Sequence, residues 1–249
     1  VAFFIYMDVR GSLRGGTQQE LFYAMFHAGS AFCNAGRSTL SGNMYDPLVA
    51  DKYNLHFWIA MLIIFGGLGF PIVFNYLKLL HHLLMNGIKI LIGKQKHYIH
   101  TPRIINVHTY IVVISTLILL ITGTAFYLFF EYDNTLGDLP LRGKLANAFL
   151  GAVTPRPAGF KVAEMGTLAP PTLMLTLILM VIGAAPMSTG GGLKVTTVFV
   201  ALVTTLNAAR EKDKVEVRKR EIAPFAIRRA FAIIMMYFMW VAIATWVLS

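Results

Sequence analysis

The sequence predicts an all-α membrane protein built from repeated units of span, re-entrant loop and span. Three observations predict it. First, 56% of the 249 residues are hydrophobic and only 14% are charged, whereas a soluble domain carries about 25% charge. Second, the formal net charge of +10 is gathered into basic segments that separate apolar runs. Third, Met25-Phe-His-Ala-Gly-Ser-Ala-Phe-Cys-Asn-Ala-Gly36 and Ala148-Phe-Leu-Gly-Ala-Val-Thr-Pro-Arg-Pro-Ala-Gly159 repeat one short device 123 residues apart. Each holds an apolar run of roughly ten to fourteen residues, too short to cross a hydrocarbon core of about 30 Å. Each leads into an Ala-Gly pair and is followed by a full-length apolar span. Bent backbone survives at membrane depth only where it is buried in protein or lines a water-filled path. Two such loops in corresponding positions predict a pore walled by backbone carbonyls.

Taken in order, the chain opens at Val1 inside an apolar stretch, with no initiator Met or signal-peptide n-region. The first loop follows. Spans are then predicted at Phe57–Leu77, Val107–Phe130, Pro171–Leu206 with an internal break, and Arg229–Leu248. Each has the ~20 apolar residues that a crossing helix requires. Trp240 and Trp246 suit an interfacial end of the last one. Ser249 closes at the end of that span, so both ends read as cut from a longer protein.

The basic residues set the orientation. Lys78, Lys89, Lys94, Lys96 and Arg103 lie between the first two spans without an acid among them. Arg210, Lys212, Lys214, Arg218, Lys219, Arg220, Arg228 and Arg229 follow the third. The positive-inside rule makes both segments cytoplasmic. The charge is therefore a topology signal, not a nucleic-acid surface. Both re-entrant loops, with Asp46, Asp51, Glu131, Asp133 and Asp138 near them, then face outward. The single cysteine, Cys33, has no internal disulfide partner and reads as a small packing residue in its loop.

Laying Gly36 on Gly159 also lays Phe26 on Phe149 and Ala35 on Ala158. Each loop precedes a span interrupted by Gly and Pro, at Gly66-Gly-Leu-Gly-Phe-Pro71 and Gly183-Ala-Ala-Pro186. On this repeat logic, residues 1–86 end one unit, 98–221 form a complete unit, and 222–249 begin a third. Three motifs are distinctive: Ser30-Ala-Phe-Cys-Asn-Ala-Gly36, Val153-Thr-Pro-Arg-Pro-Ala-Gly-Phe160, and Ser188-Thr-Gly-Gly-Gly-Leu-Lys194 followed by Val195-Thr-Thr-Val-Phe. With these motifs the chain resembles the membrane subunit of the Trk/Ktr/HKT superfamily of potassium uptake proteins, nearest to the Ktr branch. The resemblance covers essentially the whole chain.

The resemblance implies four pore units around one potassium-channel-like pore, and a second identical chain forming a dimer in the plasma membrane. It also implies a cytosolic ring of nucleotide-binding regulatory subunits docked on the basic inner face. Nucleotide would bind that partner, leaving this chain with no cofactor and only the transported K⁺, with Na⁺ as a possible activator. Two positions depart from the family pattern. Arg37 stands where Phe is usual, and Pro157 where Thr is common. Arg37 is expected to turn away from the pore toward an outer acid.

The chemistry of a potassium filter asks for oxygens that replace the hydration shell without a fixed charge to trap the ion. Glycine supplies backbone conformations closed to side chains. Asn34, Ala35 and Gly36 are therefore the candidate first wall, and Pro157, Ala158 and Gly159 the second, with K⁺ held at Asn34, Ala35, Pro157 and Ala158. The preceding runs should be pore helices whose negative ends aim at the ion, worth about 0.3–1 kcal/mol each where solvated. His27, inside the first, reads as a hydrogen-bonded packing residue and not an ion ligand.

The stretch Gly183–Lys194 breaks the third span, because three successive glycines at Gly190, Gly191 and Gly192 each cost a helix about 1 kcal/mol relative to Ala. An intramembrane loop below the filter is expected there, and the resemblance assigns it as the gate. Ser188, Thr189, Thr196 and Thr197 are placed to satisfy its freed backbone, and Lys194 to reach it. The glycine triplet lacks the spacing of a Walker loop.

Two rival readings are a cation-coupled secondary transporter and an intramembrane enzyme or scaffold. No Asp or Glu lies within a predicted span, whereas coupled carriers place such groups at the midplane. Both repeats also run in the same orientation, unlike inverted-repeat carriers. No Gly-x-Ser-x-Gly or His-Glu-x-x-His motif occurs, and His81 and His82 stand in a basic segment without a carboxylate beside them. The chain is therefore not expected to be an enzyme.

Overall fold

The computed structural model describes residues 1–11, 16–91, 107–156, 158–210, 216–217 and 220–248. Nine α-helices run through these residues in the order α1 (Ala2–Val9), α2 (Gly16–Phe32), α3 (Tyr53–Leu68), α4 (Phe70–Leu91), α5 (Val107–Glu131), α6 (Leu141–Val153), α7 (Pro170–Val181), α8 (Val195–Ala208) and α9 (Pro224–Leu248). The strands among the described residues are a two-residue antiparallel pair, Glu216–Val217 with Arg220–Glu221. The basic positions Lys94, Lys96, Arg103, Lys212, Lys214, Arg218 and Lys219 lie outside the described residues.

Among the described residues, two helices are individually long and apolar enough to cross a membrane, His108–Glu131 and Pro224–Leu248. They correspond to the second and fourth predicted spans. The third is split as expected into two short apolar helices, α7 and α8. The first differs from expectation. It is not a helix with a mild interruption, because the axis turns by 104° between α3 and α4. The cause is local: Gly69 adopts φ +81°, a conformation a side chain disfavours, and Pro71 then falls in the first turn of α4, where its missing N–H costs nothing. Helix α4 runs on to Leu91, so Lys78 is helical rather than part of a loop and stands 4.5 Å over the Phe74 ring.

Helices α2 and α6 are the short elements that the repeated motif predicts, 17 and 13 residues long. Each packs on α3, and α6 packs also on α5. Small residues permit these close approaches. A Cβ added to Gly151 would lie 2.7 Å from the Tyr127 ring, and one added to Gly143 would lie 2.7 Å from Tyr53. The main apolar core gathers Ile5, Tyr23, Leu55, Ile59, Leu150 and Phe160, so it lies among α1, α2, α3, α6 and the segment just after Gly159. By contrast, the span window of α9 has none of its residues buried.

Glu131 was expected simply as an outer acid, but it ends α5 fully buried. Its carboxylate accepts from the Ala169 backbone N–H at 2.8 Å, the Asn134 side-chain amide at 2.8 Å and the Thr135 hydroxyl at 2.8 Å. Ala169 is the N-cap of α7, followed by two prolines. Glu131 thus ties the C-terminal end of α5 to the start of α7, where a negative charge also meets the positive helix end. Replacing Glu131 with Ala would strand these donors. Thermal unfolding in detergent should show a loss of about 2–3 kcal/mol for Glu131→Ala, the scale of a charge-assisted hydrogen bond, with partial recovery in Glu131→Gln. Unchanged stability in Glu131→Ala would contradict this role.

Candidate functional site

The site is assembled where the ends of α2 and α6 meet. Helix α2 stops after Phe32 because Asn34 turns to φ +53° and Gly36 to φ +63°. The turn is closed by the Asn34 N–H on Ala31 O at 3.1 Å and the Ala35 N–H on Ser30 O at 2.9 Å. The Ser30 hydroxyl then clamps the next residue from both sides. It donates to Arg37 O at 2.8 Å and accepts from Arg37 N at 2.9 Å. The second loop is closed by a single carbonyl. Thr154 O accepts from Ala158 N at 3.0 Å and Gly159 N at 3.3 Å, while Gly159 adopts φ +81°.

The two loops touch through backbone. A Cβ placed on Gly36 would fall on the Ala158 carbonyl oxygen and lie 2.8 Å from the Gly159 Cα, whereas a Cβ on Gly159 would come within 3.7 Å of the Gly36 Cα. Gly36 of the first predicted wall and Ala158 and Gly159 of the second are thus brought to one place by elements far apart in sequence. Pro157, the third residue of the second wall, lies outside the described residues. Among the described residues, the carbonyls of Asn34, Ala35, Ala158 and Gly159 accept no hydrogen bond. Gly36 O accepts a long one, 3.4 Å, from the Asn43 side chain.

Behind the first loop, His27 is fully buried. Its Nδ1 donates to Tyr23 O at 2.9 Å, and its Nε2 lies 2.9 Å from the Ser38 hydroxyl. It is a hydrogen-bonded packing residue, as expected. Two other expectations are corrected. Cys33 is exposed rather than packed. Arg37 is also exposed and forms no ion pair with an outer acid among the described residues, because its position is set by the Ser30 clamp on its backbone.

The glycine stretch between α7 and α8 is a closed loop. Gly183 N donates to Leu193 O at 2.9 Å, Ala184 N to Gly191 O at 3.3 Å, and Leu193 N to Val181 O at 3.1 Å. Ile182 and Leu193 form a parallel bridge. Glycine is needed here for space: a Cβ on Gly183 would fall on Gly191 O, and Gly192 sits at φ +74° with its own absent Cβ 2.9 Å from the Gly183 Cα. Side chains close the remainder. The Ser188 hydroxyl donates to Ala185 O at 2.6 Å and accepts from Gly190 N at 3.3 Å. Lys194 reaches back, its Nζ donating to Gly190 O at 2.6 Å. Thr196 and Thr197 do not serve the loop as expected. The two residues instead line a cavity of about 410 Å³ with Phe225, Arg229 and Ile233.

The loop sits against the bent corner of α3. Ala185 N donates to Gly67 O at 3.0 Å and Thr189 N to Gly66 O at 3.4 Å. Gly66 in turn leaves room for the first loop, since its Cβ would fall on Phe32 O and lie 3.0 Å from the Asn34 amide. Two residues join the loops directly, and sequence reasoning assigned this contact to neither. The Asn34 side-chain amide donates to the Thr189 hydroxyl at 2.6 Å, and the buried Arg156 guanidinium donates to Gly183 O at 3.3 Å. A cation inside an apolar re-entrant motif was the available signal for Arg156.

The whole chain, residues 1–249, matches the family model described as "TrkH: Cation transport protein". It is similar to the Ktr system potassium uptake protein B of Vibrio alginolyticus, with 35% identity over 93% of this chain and 47% of that protein. The protein of the same description from Bacillus subtilis is 32% identical over 88% of this chain and 44% of its own length. The potassium/sodium uptake protein NtpJ of Enterococcus hirae is 31% identical over 94% and 47%. The chain therefore spans about half the length of the curated relatives it matches. Among solved structures, that of the potassium transporter TrkH from Vibrio parahaemolyticus shares the fold, with a TM-score of 0.65 at 14% identity over 96% of this chain and 54% of that one.

The asymmetry between the two glycines is measurable. Gly36→Ala adds a backbone clash to left-handed strain, whereas Gly159→Ala adds only the strain, about 1–2 kcal/mol. The expected result is a clearly lower thermal unfolding midpoint for Gly36→Ala than for Gly159→Ala in purified protein. Equal midpoints would contradict the contact between the loops.

Proposed function

Because the chain belongs to the TrkH family of cation transport proteins, we propose that it supplies two of the loops lining a potassium-uptake pore in the plasma membrane. On this reading residues 1–86, 98–221 and 222–249 belong to successive pore units, the remaining walls coming from units not described here. The reading is carried by one observation, the bare carbonyls of Asn34, Ala35, Ala158 and Gly159 at the junction of two re-entrant loops. Asn34 and Ala158 are buried while Ala35 and Gly159 are exposed, and a backbone oxygen without a protein donor takes a partner from water or an ion. A dehydrated cation is a partner that carbonyls accept without a fixed anionic charge to trap it.

Conduction is channel-like. K⁺ moves inward with the membrane potential, which supplies about 2.3 kcal/mol per charge for each 100 mV. The carbonyl wall replaces water around the ion, and the C-terminal ends of α2 and α6 add a modest favourable field. The Gly183–Lys194 loop is the gate below. Its closed, self-bonded form is compatible with a unit that moves as one piece, with Lys194 as its latch. The name of the Enterococcus relative includes sodium, so Na⁺ is the competing ion to measure. A homodimer and cytosolic nucleotide-binding subunits docked on the basic inner face complete the assembly we propose.

Two variants of the full-length transporter test this reading in liposomes. Gly159→Ser should lower the K⁺ to Na⁺ uptake ratio about tenfold at similar expression, because a side chain is forced into a left-handed filter position. An unchanged ratio argues against a filter there. Removing Gly190–Gly192 should raise maximal K⁺ flux several-fold by shortening the gate. A fall in flux with the protein still folded would make the loop a support for the pore instead.

A further inference from the structure

The gate and the filter lie close enough to be bonded to one another, and the bonds come from side chains. The Thr189 hydroxyl is held from two directions by the first loop. It donates to Phe32 O, at the end of α2, at 3.1 Å and accepts from the Asn34 side chain at 2.6 Å. Asn34 is itself a non-glycine residue at φ +53°, a conformation that costs about 1–3 kcal/mol and persists only where its surroundings hold it. The amide bond to Thr189 is part of that hold. On the other side, the Arg156 guanidinium lies within the second loop, 8% exposed, and donates to Gly183 O. Gly183 is where the glycine loop closes on itself through the Gly183 N to Leu193 O bond. Both loops are thus fastened to the Gly183–Lys194 loop, one at its tip and one at its base.

We propose that Asn34 and Arg156 are positioning residues that pin the two filter loops to the glycine loop, so that moving the loop out of the pore also slackens the filter. The inference rests on the filter-and-gate reading above and adds a coupling to it. When the loop is in place, Thr189 and Gly183 hold the filter backbone. When it swings away, the Asn34 conformation loses its support and Arg156 loses its acceptor. Flux and selectivity then change together instead of independently.

The test uses the full-length transporter in liposomes and measures maximal K⁺ uptake, the KM for K⁺ and Na⁺ uptake. Thr189→Val keeps the shape and the backbone bond to Gly66 but removes the hydroxyl that bridges Phe32 and Asn34. The expected result is a rise in maximal K⁺ flux of about two- to tenfold, the size of a net hydrogen bond. A raised KM and a similar fall in the K⁺ to Na⁺ ratio should accompany it. Thr189→Ser restores the bridge and should return all three values toward wild type. Arg156→Met, which removes the second pin, should shift the same three values in the same direction. Should either variant be poorly folded, thermal unfolding of the other at graded K⁺ concentrations serves instead, since a slackened filter loses part of its K⁺-dependent stabilisation. Higher flux with KM and selectivity unchanged overturns the coupling, as does no change or a fall in flux. Gly159→Ser and the Gly190–Gly192 deletion run in parallel. If these keep their effects while Thr189→Val is silent, the pins fail and the filter and gate stand. If these also lose their effects, the underlying reading fails first.

Discussion

The irregular stretches at the candidate site answer to one constraint: backbone polar groups at membrane depth must find partners inside the protein or in a water-filled path. Among the described residues, three such stretches leave helical geometry between apolar elements, at residues 33–36, 154–156 with 158–160, and 182–194. The third meets the constraint by bonding to itself and to the corner at Gly66 and Gly67. The first two meet it at Asn34, Ala35, Ala158 and Gly159 for the N–H groups alone, which return to Ala31, Ser30 and Thr154 carbonyls, while the carbonyls of these four residues are without a donor. That imbalance, N–H groups satisfied and oxygens spare, is the arrangement a cation requires. An anion would require the reverse.

The glycines follow from the same constraint, for two separate reasons. Gly69, Gly159 and Gly192 are positions of positive φ. Gly66 and Gly183 are positions where another backbone occupies the space of a side chain; Gly36 and Gly192 meet both conditions. Backbone thus packs against backbone at Gly36, Gly66 and Gly183, so the geometry of these loops is insulated from side-chain rotation. The side chains that do enter, Ser30, Ser188, Thr189, Lys194, Asn34 and Arg156, all bind main-chain groups or one another.

Much of this was legible in the sequence because it is local. The α2 and α6 runs end within a few residues of where the Ala-Gly pairs say they must, and the glycine triplet breaks its span where helix propensity forbids continuation. Lys194 reaches its loop because Gly190 O is four residues away. The 104° turn at Gly69 was visible only as a break, since Gly and Pro mark an interruption without fixing its angle. The rest was illegible for reasons of distance. Asn34 and Thr189 are 155 residues apart, and Arg156 and Gly183 are 27 apart. No periodicity links such pairs. The burial of Glu131 was hidden likewise, because its partner Ala169 belongs to an element that begins 38 residues later. Exposed Cys33 and unpaired Arg37 show the opposite limit: their residue types suggested packing and pairing, and the closure of the turn on Ser30 set their positions instead.

The central claim, that spare carbonyls of two re-entrant loops hold the transported ion, is tested most directly by locating the ion. Full-length transporter crystallised with rubidium or thallium in place of potassium gives anomalous scattering at the bound cation. The account places that signal between the carbonyls of Asn34, Ala35 and Ala158, with no carboxylate in contact. A signal at Glu131 or another acidic side chain, with none between the two loops, would contradict it.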